Sequence, residues 1–231
     1  MPKHKLQRFA ENETFTNLFQ HQNYDVRNDA FPLKGRWHAD YFHNDHSIVL
    51  EVGCGRGEYT VSMARQFPDC NFIGIDRKGA RLWRGCKDAT IEGLSNVAFI
   101  RGQVDDIERY FGPGEVSEIW VTFPDPQPKK ARRRLVSPNF VERYCKVWGN
   151  PGILHLKTDS RLLYEYLIET ASANNWQILD QIEDVYAEPR RPFLTEIQTF
   201  YEKKWLEEKS MISYLRVSVK NELEASQSDE I

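Results

Sequence analysis

The chain has 231 residues, 40% hydrophobic and 28% charged, with a formal net charge of −3. That length allows one sizeable α/β domain with its own core, and no apolar run approaches a membrane span. Four cysteines, Cys54, Cys70, Cys86 and Cys145, contain no C-x-x-C pair, which argues against a zinc site and for a reducing cytoplasm.

The first residues, Met1-Pro2-Lys3-His4-Lys5, are basic but no apolar core follows, so a secretory signal is not expected. Residues 1–45 read as a polar and aromatic arm over the main domain, partly flexible, with a short helix over Phe15 to Tyr24. A main domain is expected over 46–221 and an acidic tail over 222–231.

From Ile48 the pattern alternates. Ser47 to Val52 is a short apolar run, read as a buried strand, and Gly53-Cys54-Gly55-Arg56-Gly57 follows as a loop. Tyr59 to Phe67 is the next helix, stopped by Pro68. Further strands are expected at Asn71 to Asp76, Val97 to Ile100, Glu118 to Phe123 and Gly152 to Leu156. Helices fall between them at Lys78 to Glu92, Asp106 to Phe111 and Pro138 to Trp148, with another at Arg161 to Asn174. Ile178 to Asp180 and Met211 to Val219 close the series. The fold class is α/β, a doubly wound, mostly parallel seven-stranded sheet with helices on both faces.

Strand, glycine loop and helix N-terminus together form a small-molecule site at the carboxyl end of such a sheet. The spacing is G-x-G-x-G with Glu51 two residues ahead of Gly53, which is not the dinucleotide fingerprint and is similar to the loop of S-adenosyl-L-methionine (AdoMet) methyltransferases. Asp76, at the end of the second strand, suits ribose hydroxyls or a helix cap. Gln103 suits an adenine edge or solvent. Cys54 reads as a small filler rather than a nucleophile.

Phe123-Pro124-Asp125-Pro126-Gln127-Pro128-Lys129-Lys130 follows the fourth strand, and prolines on both sides restrict Asp125. A held carboxylate there can accept hydrogen bonds from ring N–H and amino groups. Lys129, Lys130, Arg132, Arg133 and Arg134 adjoin it and are expected to meet phosphate. Arg77, Lys78, Arg81, Arg84 and Lys87, on the helix after the second strand, either widen that patch or are plain surface, and surface is the default reading. Asp159 suits either a helix cap or a substrate contact, and Thr199 to Trp205 reads as an amphipathic segment.

Glu51-Val52-Gly53-Cys54-Gly55-Arg56-Gly57, Asp125-Pro126-x-Pro128-Lys129-Lys130, His155-x-Lys157-Thr158-Asp159 and Thr199-x-Tyr201-Glu202 occur in that order. Together they resemble the bacterial tRNA (guanine-N7)-methyltransferase family, over roughly residues 46 to 218. The resemblance implies a cytoplasmic enzyme that methylates guanine 46 in the variable loop of tRNA, with AdoMet as cofactor and no metal. It places Glu51, Gly53, Gly55, Asp76, Gln103 and Asp125 at AdoMet, makes Asp125 catalytic, and assigns Lys129, Asp159, Thr199, Tyr201 and Glu202 to the substrate. Gln127 stands where the family often has Trp, Gln103 where it often has Asp or Asn, and a second Thr-Glu pair, Thr195-Glu196, lies just upstream of Thr199. The rival readings are an AdoMet enzyme for another substrate and an RNA-binding module with a vestigial pocket. Monomer and homodimer both stay open.

Overall fold

A computed structural model describes residues 3–20 and 31–220. An N-terminal helix, α1 (Lys3–Asn12), and a short strand, β1 (Leu18–Gln20), precede a π-helical segment at Trp37–Phe42. The alternating part runs β2 (Ile48–Val52), α2 (Glu58–Gln66), β3 (Asn71–Asp76), α3 (Gly79–Glu92), β4 (Val97–Arg101), α4 (Ile107–Tyr110) and β5 (Val116–Thr122). It continues through α5 (Pro138–Tyr144), β6 (Trp148–Thr158), α6 (Arg161–Ala173) and β7 (Gln177–Ile182). Two further helices, α7 (Phe193–Glu196) and α8 (Phe200–Glu207), lead to β8 (Ser213–Val219).

The strands form one sheet in the order β1-β4-β3-β2-β5-β6-β8-β7. All pairs are parallel except those of β8, which runs antiparallel to both β6 and β7. Among the described residues eight strands replace the expected seven, because Leu18–Gln20 pairs with Phe99–Arg101 and adds an edge. The helix expected over Phe15 to Tyr24 is instead a turn over residues 16–17 and the strand Leu18–Gln20, and residues 21–24 and the acidic tail lie outside the described residues.

Strand β2 holds the centre because every residue from Ile48 to Val52 is buried. Its side chains alternate between two cores: Ile48, Leu50 and Val52 pack on one face, Val49 on the other. Each fully buried aliphatic side chain of this kind contributes about 1.5–3 kcal/mol. The first core also takes Phe31, Leu33, Trp37 and Phe42 from the arm. Glu115 fixes that arm by accepting from the amides of Gly35 at 2.8 Å and Trp37 at 2.9 Å, and the Trp37 indole donates to the Tyr110 carbonyl at 2.9 Å. On the other face α1 rests on α3, where Asn12 donates to the Gly79 carbonyl at 2.9 Å.

From β2 the chain winds outward through β3 and β4, then returns to β5 on the other side. That reversal opens a crevice at the carboxyl ends of β2 and β5, the usual ligand position in a doubly wound sheet. The glycine loop sits over one lip. It packs so closely that a Cβ on Gly57 (φ +68) would stand 2.5 Å from Phe99, whereas one on Gly93 (φ +66), the C-cap of α3, would meet nothing within 4 Å. Gly93→Ala is therefore expected to cost about 1–2 kcal/mol, from the left-handed backbone alone. Gly57→Ala adds overpacking and should cost about 2–5 kcal/mol. Urea midpoints of the two variants test this, and equal costs would refute the close packing under the loop.

Candidate active site

The glycine loop is braced from below. Glu51 is buried, and its carboxylate accepts from the Thr60 amide at 2.9 Å, the Thr60 hydroxyl and the Thr122 hydroxyl. One side chain thereby ties β2 to the first turn of α2 and to the end of β5. Burial pushes its pKa up to about 7, against the pull of the Thr122 and Thr60 hydrogen bonds. Glu51, expected at the cofactor, spends its carboxylate on these hydrogen bonds to Thr60 and Thr122.

Above it, Gly53 and Cys54 both donate to the Ile75 carbonyl, at 2.8 and 3.0 Å. The Gly55 amide donates to Asp76 Oδ2 at 3.1 Å, and the Lys78 amide to Asp76 Oδ1 at 2.7 Å. Asp76 thus stands half-buried between the loop and the turn after β3. Cys54 is buried with its thiol pKa driven up by burial, the state of a filler. Gly55 (φ +58) faces open space, with nothing within 4 Å of a notional Cβ. Open room over Gly55, a carboxylate at the neighbouring strand end and a helix N-terminus behind fit a nucleoside-bearing cosubstrate. Gln103 lies two strands along the same rim, where its carbonyl accepts from the Asp106 amide at 3.0 Å.

Asp125 follows β5, which pairs directly with β2, so it and the glycine loop occupy neighbouring strand ends. The carboxylate is exposed and accepts from the Gln127 amide at 3.0 Å, and Gln127 itself is left-handed at φ +44. The following basic run divides in two. Lys129, Lys130, Arg132 and Arg133 are exposed, whereas Arg134 is buried. Arg134 donates to the Pro126 carbonyl at 3.1 Å and lies 4.3 Å from the Tyr166 ring, which pins the proline loop. Charge density alone could not separate Arg134 from its neighbours.

Asp159 ends β6 on the far side of Asp125, half-buried and with its pKa raised by burial. It is not the cap of α6. That part belongs to Ser160, which accepts from the Leu163 amide at 3.4 Å.

Thr199 caps α8, accepting from the Glu202 amide at 3.1 Å, while Thr195 donates to the Pro192 carbonyl in α7. Tyr201 is exposed. Glu202 is fully buried and pairs with Lys157, Oε1 to Nζ 2.7 Å, and the Tyr186 hydroxyl donates to it at 2.9 Å. Glu202, expected at the substrate, has its oxygens occupied inside the protein by Lys157 and Tyr186. Lys157 also donates to the Leu194 carbonyl and, at 3.2 Å, to that of Ile197. Burial lowers the Lys157 pKa and raises that of Glu202. Tyr186 and Glu58, which accepts from the Phe200 amide at 2.9 Å, have no sequence signal of their own. His155 is likewise internal, stacked on Trp120 at 4.0 Å. Among the described residues no group of three His, Cys, Asp or Glu could hold a metal, and no helix is long and apolar enough to cross a membrane.

Two measurements probe these braces. The folded Glu51 carboxyl, raised from 4.5 to about 7, holds its proton more tightly than the unfolded one. Its contribution is therefore complete below about pH 4.5, declines as pH rises and is gone above about pH 7, a change of roughly 3 kcal/mol. Glu51→Gln should remove that slope from urea unfolding between pH 5 and 8; an unaltered slope would contradict it. Lys157→Met leaves Glu202 buried without its cation and should cost about 3–5 kcal/mol. Lys157→Met/Glu202→Leu should recover most of the loss, and a double variant no more stable than the single would show that the pair is not coupled.

Comparison with known proteins bears on the chemistry. A family described as "Putative methyltransferase" matches residues 45–215. A tRNA (guanine-N(7)-)-methyltransferase of Christiangramia forsetii is 50% identical over 94% of this chain and 99% of its own length. One of Bacteroides thetaiotaomicron is 45% identical over 96% and 88%. Among solved structures, the 16S rRNA methyltransferase KamB superposes with a TM-score of 0.61 at 15% identity, covering 87% of this chain and 94% of its own, a likeness of fold. With half the residues shared along nearly the whole length of a relative, the chain belongs to the tRNA (guanine-N7)-methyltransferase family.

Proposed function

We propose that the protein transfers a methyl group from AdoMet to N7 of a guanine in tRNA, and that the guanine is position 46 in the variable loop. The observation that carries the site assignment is the juxtaposition of the glycine loop after β2 with the Asp125 loop after β5. The substrate assignment draws on the relatives named for tRNA guanine-N7 methylation. A cytoplasmic setting accords with four free cysteines.

AdoMet, when bound, supplies an electrophilic methyl group on a sulfonium. Gly53, Gly55 and Asp76 would hold it at the rim, with Gln103 beside its base and Glu51 supporting the loop from beneath. Guanine N7 has an in-plane lone pair, so no residue needs to take a proton from it before attack. The chain's task is alignment and electrostatics. Alignment of reactants in a fixed site is worth up to about 7–11 kcal/mol in ideal cases. Asp125 is the proposed catalytic residue: its carboxylate accepts from the N1/N2 edge of the base and stabilises the positive charge that the purine gains. Asp159, on the next strand end, closes the other side. Lys129 and its exposed neighbours hold phosphates. Thr199 and Tyr201 form the wall carried by α8, and Glu202 positions that wall rather than touching the base.

Incubation with labelled AdoMet and unmodified tRNA, followed by nucleoside analysis, should yield 7-methylguanosine; label in any other nucleoside overturns the reading. Asp125→Ala should lower the transfer rate by roughly 10²-fold or more while tRNA affinity is nearly kept. Equal losses in rate and affinity would remove its catalytic role.

A further inference from the structure

A second concavity opens on the carboxyl rim, away from the Asp125 loop. It encloses about 410 Å³ and is lined by Arg8 of α1, Gly55 and Arg56 of the glycine loop, Arg81 and Trp83 of α3, and Tyr201 of α8. Four elements far apart in sequence thus meet around one space.

Its charge is uncompensated. Arg84, at the edge, is spent on Asp88 at 2.7 Å, and the nearby Glu11 is taken by Lys87 at 3.2 Å and by the Trp83 indole. Among the described residues, Arg8, Arg56 and Arg81 have no carboxylate within salt-bridge distance. Two of them are instead held by rings: the Arg8 guanidinium lies 4.8 Å from the Trp83 ring centre, and Arg56 lies 4.3 Å from that of Phe200. A guanidinium over an aromatic face is fixed in orientation and keeps its N–H edge for an outside acceptor. In a chain of net charge −3, three unpaired guanidiniums in one hollow are a local exception to the sum. Their fork geometry matches phosphate oxygens in particular. Tyr201 is exposed and offers a ring face to an unstacked base, while the Trp83 ring is occupied by Arg8 and by the Lys87 ammonium at 4.9 Å.

We propose that this groove binds the sugar–phosphate backbone of the substrate RNA next to the target guanine, which makes α1 part of the RNA-binding surface. The inference rests on the tRNA reading above and adds a site that lies apart from the Lys129 run. The backbone would pass over Gly55 between α1 and α8, so that the RNA closes the crevice over the methyl donor. Arg8 and Arg81 are the residues to test, since neither belongs to the glycine loop or to the proposed base contacts.

The experiment uses the full chain carrying Arg8→Gln/Arg81→Gln. Binding of unmodified tRNA, followed by fluorescence anisotropy across a salt series, should weaken about tenfold near 0.15 M salt. The slope of log K against log salt should become shallower by roughly 1–2, as two phosphate contacts are lost. AdoMet affinity by calorimetry and the rate at saturating tRNA should stay within about twofold, because neither residue contacts the base. Arg8→Lys/Arg81→Lys, which keeps the charge, should restore the slope. Single Arg81→Gln, at an exposed side chain, repeats the test if the pair of changes disturbs α1. Unchanged tRNA affinity and slope would overturn the proposal, as would a loss confined to AdoMet. Failure here is distinguishable from failure of the proposed function, which is read separately from whether the unaltered protein forms 7-methylguanosine.

Discussion

The α7–α8 segment hangs on one buried ion pair. Lys157 and Glu202 are both removed from water, which costs several kcal/mol per ion before their attraction and hydrogen bonds offset it. A hydrophobic pair would hold the same elements without that cost, so the pair's value lies in direction. Lys157 Nζ has three donors, and Glu202, the Leu194 carbonyl and the Ile197 carbonyl all receive from it. Through it the end of β6 fixes both α7 and the first turn of α8. The Thr199 cap and the Glu58 carboxylate on the Phe200 amide then set the angle at which α8 leaves. Tyr201 owes its place beside the glycine loop to these contacts rather than to packing of its own, since it is exposed.

Glu51 does the corresponding work on the other lip. Its two oxygens serve three donors from α2 and β5, which makes the loop's floor a single hydrogen-bonded unit. The cost is visible in a carboxyl pushed toward neutrality. Sequence shows an acid at this spacing but not that its oxygens are engaged by Thr60 and Thr122. Asp76 illustrates the opposite outcome. It too spends hydrogen bonds on the backbone, yet it stays half-buried at the rim with lone pairs to spare.

The central elements were legible where a residue pattern is self-sufficient. Apolar β2 ending in glycine, Pro68 after α2 and Gly93 after α3 each mark a boundary by local chemistry. Strand β1 was not, because Leu-Phe-Gln has no period of its own and becomes a strand only by borrowing the edge of β4. Strand β6 reaches back to Trp148, four residues before its expected start, because Trp148 pairs with Val116 of β5 across a bulge. The site divides the same way. Asp125 could be placed by its prolines, whereas Arg134 and Glu202 could not be separated from reactive neighbours without knowing what they are buried against.

A chain that is slightly acidic overall can still serve a polyanion, because charge acts over about 8–10 Å in physiological salt. Within that range the rim is cationic on both flanks of the crevice: the exposed part of the Lys129 run on one, the arginines of α1, the glycine loop and α3 on the other. Much of the acid is neutralised locally in pairs such as Arg65–Glu92, Arg161–Glu165 and Lys146–Glu108, elsewhere on the surface. Excess positive charge around the crevice would also disfavour a purine that becomes cationic during methyl transfer. On the function proposed above, Asp125 and Asp159 at the two strand ends would answer that need by setting negative charge beside the base, while the arginines and lysines outside it would take the phosphates. Such a separation of sign between rim and crevice would let one surface hold an anionic backbone and still favour a cationic product.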